Sequence, residues 1–510
     1  MIDLYQLIIN KLTIKSKINL ISSHIDFTHL VIYELNTKNI GSRYASYMKN
    51  LKILYATGSI IDQEYINKLN VTTLIIDENK YINSLTHMKN LKNLSIRYNC
   101  GINQASIMSL DLYVLNANHN YMITNVTHMT NLKKLLINGK CGIGQEGILG
   151  LDLCMLSANN NKKIVDVSYM TNLKKLSIGS KCGVNQLGIR DLDLYELNAS
   201  YNDKIIDVRY MTNLKKLYIN DKCGISQNSI SSLNLISLAI NNNNNVVDIT
   251  HMTNLKKLYM DDNSGITNIS NLSLIKLDSG HNYDLRHMNN LKVLYAIGKK
   301  SIDQQAIIGL WLHTLFSTNN SKIVDVSWMT TLKKLYINNK SGVDQRGIEG
   351  LNLELLTASN NSKIMSVAKM TNLKHLCIDG DCGIDQNGIV GLNLTYLSAN
   401  NNAKIYDLSF MSRLKTLGLR DNERVIDVSN ITTLRNLYIS GNCAVNQNGI
   451  KRLKLNILDA SDNDKIIDVS QMTTLKKLVA RGNCGISDEG IDGLELDFLY
   501  SEDNNKITLH

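Results

Sequence analysis

A methionine recurs at Met48, Met88, Met129, Met170, Met211, Met252, Met288, Met329, Met370, Met411 and Met472, at intervals of 40, 41, 41, 41, 41, 36, 41, 41, 41 and 61 residues. So regular a period means a chain of stacked units, each too small to bury its own core, rather than the several globular domains that 510 residues would otherwise suggest. The interval of 61 resolves into 20 and 41, because Ile431 stands where a methionine would fall; one half-unit has been lost there.

Each 41-residue unit holds two similar halves, A and B, of 21 and 20 residues. Half A runs through Leu132, Leu135, Ile137, Cys141, Ile143, Ile148 and Leu151; half B through Leu153, Leu156, Ala158, Asn161, Ile164, Val167 and Met170. Both open on Leu-x-x-Leu-x-Leu. In a short strand this alternation sends the first, fourth and sixth side chains inward and the intervening ones outward. Stacked coils then share one parallel sheet, with stability a sum of nearest-neighbour terms. Starts from Leu51 to Leu496 give about 23 coils, an arc on the order of 110 Å along the sheet at the usual strand spacing. The expected architecture is an α/β solenoid, a leucine-rich-repeat horseshoe. Its parallel sheet lines the concave face, and short helices and turns line the convex one.

Composition agrees with this plan. The chain is 44% hydrophobic but only 6% aromatic, so burial rests on aliphatic side chains. Proline is absent, where average usage would supply about 25, which removes proline-rich linkers from consideration. No run approaches the length of a membrane span, and polar residues interrupt the first 17 positions, so neither a membrane anchor nor a signal peptide is expected. The net charge of +10 is spread along the chain.

Half B carries an asparagine at its ninth position, from Asn79, Asn120 and Asn161 through Asn243, Asn282 and Asn320 to Asn504. An amide both donates and accepts, so these residues are expected to form a buried ladder that satisfies backbone groups. Half A closes on Cys-Gly-Ile-x-Gln-x-Gly-Ile, as at Cys382 to Ile389. Asn185, Ser226, Asp344 or Asp385 there suits the N-cap of a short helix. Half B closes on Lys-Ile-x-Asp-Val-Ser, as at Lys163 to Ser168, which suits a tighter polar turn.

With these motifs in view, half A, and Cys484 to Ile491 above all, resembles the cysteine-containing leucine-rich repeat of many F-box proteins. Half B resembles the short internalin-type repeat. Together they are similar to repeat proteins of large DNA viruses of amoebae, over residues 50 to 510. Residues 1–47 precede the clear repeat. Leu4 to Leu12 and Lys17 to Ile21 read as two short amphipathic helices that cap the first coil. The same segment resembles a degenerate F-box without the family's Leu-Pro opening. That resemblance implies docking on the small adaptor of cullin-type ubiquitin ligases.

No catalytic constellation emerges. Cys100, Cys141, Cys182, Cys223, Cys382, Cys443 and Cys484 share one half-A position, two coils apart, on the order of 10 Å and beyond disulfide reach. They read as small buried thiols in a reducing compartment such as the cytosol, the host cytoplasm if the chain is viral. Cys154 and Cys377 fall off register and read as the more reactive thiols. His87, His128, His251 and His287 lie whole units apart, and no phosphate-binding or hydrolase motif occurs, so neither metal, cofactor nor enzymatic activity is expected.

The outward positions of half A are more informative. Lys134, Lys175, Lys216, Lys257, Lys334 and Lys477 occupy the third strand position, and Tyr218, Tyr259, Tyr295, Tyr336 and Tyr438 follow two residues on. This stripe is expected on the concave sheet in alternate coils. It suits an acidic protein face with tyrosine anchors, a nucleic-acid backbone with stacked bases, or simply the solvated face that outward positions of parallel strands need. Glu196, Asn116 and Ser157 interrupt it in half B and favour a protein. The leading expectation is a non-enzymatic recognition scaffold, with polyanion binding and a self-associating structural role as alternatives.

Overall fold

In every described strand the second residue is a leucine, and within each unit that leucine pairs with the corresponding leucine of the next strand. The computed structural model describes residues 51–508 except 59–60, 99, 262–264, 299–301 and 497, together with the strand Glu34–Asn36. It divides into two compact units, Met1–Val246 and Val247–His510.

Among the described residues the first unit holds a parallel ladder of eleven short strands from Glu34–Asn36 to Ser237–Ala239, in the register Leu54↔Leu74, Leu94↔Leu115 and Leu217↔Leu238. The second holds thirteen, from Lys257–Met260 to Phe498–Tyr500, in the register Leu258↔Leu277, Leu335↔Leu356 and Leu478↔Leu499. Each unit is a parallel-sheet solenoid of the leucine-rich-repeat type. Period-2 alternation drives the pairing. Leu135 and Ile137 are fully buried while Lys134 between coils is exposed, and a one-residue slip would exchange the two faces.

The periodic methionines lie in the core: Met129, Met170, Met211, Met252, Met329 and Met411 are fully buried, and Ile431 takes the same place at 1% exposure. The strand Glu34–Asn36 pairs with Ile53–Tyr55, so the ladder begins inside the segment assigned from sequence to an N-terminal cap. The two expected helices of that segment, and with them the F-box resemblance, lie outside the described residues.

The asparagine ladder forms. Asn161 donates to the carbonyls of Ile137 and Ile143 in the preceding coil, 3.1 Å each, and accepts from Lys163 N at 3.1 Å. Asn202, Asn320, Asn361, Asn463 and Asn504 repeat the pattern. Two corrections follow. Asn282 is exposed and binds Asp303 instead; its coil belongs to the 36-residue unit, and there the Tyr283 hydroxyl reaches inward to Ile266 O at 2.6 Å. Asn422, not anticipated, joins the ladder through Ala399 O and Asn402 O, because the coil after the lost half-unit is a second consecutive half B.

Single helical turns close half A. Asn185, Asp344 and Asp385 cap them by accepting from the backbone of Gly188, Gly347 and Gly388. Ser226 sits at its N-cap without a side-chain bond.

The glutamine of half A was left without a role by its sequence pattern; the structure gives it one. Gln145 donates to Asp166 O at 2.8 Å and accepts from Val165 N and Asp166 N, clamping the turn of the next half B. Gln63, Gln104, Gln186, Gln304, Gln345, Gln386 and Gln447 do the same one coil onward.

Candidate functional site

The recurring polar side chains are spent inside the repeat. Lys404 and Lys465 of the half-B turns donate to Cys382 O and Cys443 O, both at 2.8 Å. His87 and His128, before the methionine, bond to Ile66 O and Ile107 O; Tyr169 and Tyr210 at the same position donate to Ile148 O and Ile189 O. Asp166 accepts from Ser168 N and Oγ to hold the turn. All nine cysteines are free thiols. Burial pushes Cys100, Cys141, Cys223, Cys382 and Cys443 up to about 11. Cys377 lies on the sheet face, yet burial pushes it up to about 11 as well, which corrects its reading as a reactive thiol. Among the described residues no group of three or more His, Cys, Asp or Glu side chains could hold a metal ion. No described helix is long and apolar enough to cross a membrane.

The open face of the sheet carries three rows: the first residue of each strand, which is the third position of the Leu-x-x-Leu-x-Leu pattern, the third residue of the strand, and the residue two beyond. The outermost row is largely self-satisfied. Asp77 accepts from Ser95 Oγ, Arg97 N and Arg97 Nε; Asp379 accepts from Ser359 Oγ, Ser398 Oγ and Asn400 N. The other two rows contain every residue of the lysine and tyrosine stripe.

In the first unit these rows mix polar residues with aliphatic ones such as Ile53, Ile75, Val114, Leu136 and Met155. Lys134 is exposed, between Val114 and Met155 in register. Lys175 and Lys216 share Glu196, at 3.9 and 3.4 Å, and this carboxylate holds the Lys216 ammonium above its ordinary value. Tyr218 lies between Asn198 and Ala239. Glu196 therefore bridges the stripe rather than merely interrupting it.

The second unit differs. Tyr259, Asp278, Tyr295, Phe316 and Tyr336 follow one another in register along the third-position row. Tyr295 and Phe316 stack with ring centroids 4.1 Å apart at 7°, and Phe316 and Tyr336 at 4.1 Å and 12°. Lys276 sits beside Lys257 in the first-position row, its Nζ 5.1 Å from the Tyr259 ring centroid and 4.7 Å from that of Tyr295. Burial disfavours its ammonium, but hydrogen bonds and proximity to the two tyrosines outweigh that and hold it above its ordinary value. Asp278, half-buried, is pushed up to about 6 by burial and by Asp261, against the pull of Lys276.

Lys334 and Lys257 are exposed, and neither has a carboxylate within 4 Å among the described residues. Farther along, Tyr438 is exposed between Gly418 and Asp459, and Lys477 lies 4.8 Å from the Phe498 ring.

Sequence reasoning missed Phe316 and Lys276, because it followed half A and both belong to half B. The signal was present: Phe316 is one of only four phenylalanines. Two cavities also occur in the second unit. One of about 440 Å³ lies between the turns holding Tyr406 and Ile426, where two half-B coils adjoin without an intervening helical turn. The other, about 550 Å³, is lined by Arg420, Asp459, Arg481 and Tyr500.

No family model matches the sequence, and no curated protein does. Among solved structures the chain is similar to the TLR13–ssRNA13 complex, at 16% identity over 91% of this chain and 82% of that one, with a TM-score of 0.44. It is also similar to an internalin (inlF) from Listeria monocytogenes, at 16% identity over 82% of this chain and 88% of that one, with a TM-score of 0.25.

Proposed function

We propose that the protein is a non-enzymatic recognition scaffold that binds a protein partner on the open face of its sheet, in a reducing compartment such as the cytosol. One observation carries this reading. The polar residues that recur in the turns are used up by bonds between coils, whereas the side chains in the two inner rows of the open face differ from strand to strand and take no part in those bonds. A surface whose side chains vary while their backbone positions stay fixed is a platform for specificity rather than a structural necessity. Tyrosine and phenylalanine there supply area at low entropic cost, and an interface of standard size, about 1,600 Å², needs only part of such a face.

A second class of partner, nucleic acid, is less well served. Rings stacked at 4.1 Å turn their faces to one another and leave mainly their edges for a ligand, while base stacking needs open ring faces. Glu196 also neutralises part of the lysine row. A role as substrate receptor for ubiquitination is a finer form of the protein-binding proposal. It predicts that full-length chain, but not chain lacking residues 1–47, recovers a cullin adaptor.

Lysine-reactivity footprinting of the purified chain, alone and in extract of the native cell, tests the face. Protection confined to Lys134, Lys257, Lys334 and Lys477 is the expected result. Protection of the turn lysines Lys163, Lys404 and Lys465 with the sheet lysines unchanged would reject it.

A further inference from the structure

The open face is not uniform, and one stretch of it departs from the repeat in several ways at once. Both tryptophans of the chain, Trp311 and Trp328, flank in sequence the strand that supplies Phe316. Trp311, three residues before the strand Thr314–Phe316, stands where other coils have Asp111, Asp152 or Asp193, the first and third of which accept from the backbone of the following coil. It is 48% exposed.

The neighbouring strands, from Val293–Tyr295 to Leu355–Thr357, carry no carboxylate, and Lys334 stands among them without an acidic partner. On the other side of the ring stack, Lys276 is held between two tyrosines, and Lys257 beside it has no carboxylate within 4 Å among the described residues. In the first unit the corresponding lysines Lys175 and Lys216 already have their carboxylate.

Resting on the reading of the open face as a protein-binding surface, we propose that the stretch from Lys257 to Tyr336 is its specificity centre. Its occupant is an extended acidic peptide segment with an aromatic or long aliphatic anchor. The anchor lies against the ring edges of Tyr295, Phe316 and Tyr336, and carboxylates on either side meet Lys276 with Lys257 and Lys334. Cations flanking an apolar ridge favour a segment that alternates apolar and acidic chemistry over a uniformly charged polymer, because a phosphate chain would leave the ridge wet. Salt then weakens the contact without abolishing it, as the apolar part is unscreened.

The experiment is fluorescence anisotropy of full-length chain against three probes: Glu/Asp-rich peptides carrying one Phe, Trp or Leu; the same peptides with the anchor changed to Ala or the acids to Lys; and a single-stranded oligonucleotide. Anchored acidic peptides are expected to bind, with losses of about tenfold or more on either change. Phe316→Ala should cost a similar factor. Lys257→Glu with Lys334→Glu, both exposed and neutral for folding, should do so independently of any effect of Phe316→Ala on the core. Lys134→Glu in the first unit should change affinity less than about threefold.

Equal binding of the Ala-anchor or Lys peptides, or preference for the oligonucleotide, would overturn the assignment of the occupant. Peptide binding lost on Lys134→Glu but kept in the Phe316 and lysine variants would overturn the location while leaving an open-face partner standing. Indifference to all of these variants would remove both.

Discussion

The half-B coils of the ladder turn on a residue with positive φ, Asn160, Asn360 or Asp462 for example, and close on the amide of the asparagine that follows. Asparagine and aspartate tolerate the left-handed region better than most side chains, so their abundance here has a backbone cause. The ladder amide does more: with Asn161→Ala, two buried carbonyls and the Lys163 amide lose their partner. A loss of about 2 kcal/mol, read from denaturant unfolding, is expected. Asn282→Ala, at a ninth position outside the ladder, should stay within about 0.5 kcal/mol. Equal effects would contradict the distinction drawn between them.

Asp278 makes a pH prediction at the same scale. Its folded pKa lies above the ordinary carboxylate value, at about 6, so the folded state binds the extra proton. Its contribution is fully present below about pH 4 and is lost as pH rises through about 6. Thermal melts of Asp278→Asn should show that dependence removed, with a higher Tm than the parent at pH 8. A parent-like pH profile would refute it.

At the scale of elements, the glutamine clamp decides how the helical turn of half A is joined to the turn of the next half B. Gln345 holds the amides of Met365 and Ser366 at 2.8 and 2.9 Å. Gln345→Ala should raise hydrogen exchange at those two amides and leave the strand Leu355–Thr357 protected. Unchanged exchange would mean the clamp is not holding the turn.

Strands, core leucines and the asparagine ladder were legible in the sequence because a period-2 pattern and a fixed repeat encode them locally. The clamp was not, since its partners are backbone groups 20 and 21 residues away whose identity leaves no trace in the pattern. The ring stack was half legible: Tyr295 and Tyr336 follow the half-A rule, while Phe316 completes the stack from half B. Asn282 and Asn422 show that where the period breaks, position within the repeat no longer fixes a role.

At the scale of the whole molecule, a sum of nearest-neighbour terms means that complete units can be removed. Deleting residues 152–192, one full unit, should leave a cooperatively folding chain with a proportionately smaller m-value. Loss of cooperative unfolding would argue against the additive picture. The natural loss of a half-unit before Ile431 is already accommodated, because Gln386 and Gln447 keep their partners on either side of it.

What such an additive scaffold offers is a set of fixed positions whose outward side chains are independent of folding. The most direct test is a photo-crosslinking residue placed singly in the full chain in its native cell, at Phe316 and Lys334 on the open face and at Arg346 and Val165 on the turns. One common crosslinked protein is expected from Phe316 and Lys334, and none from Arg346 or Val165. The same protein captured from the turn positions, with the sheet positions silent, would contradict it.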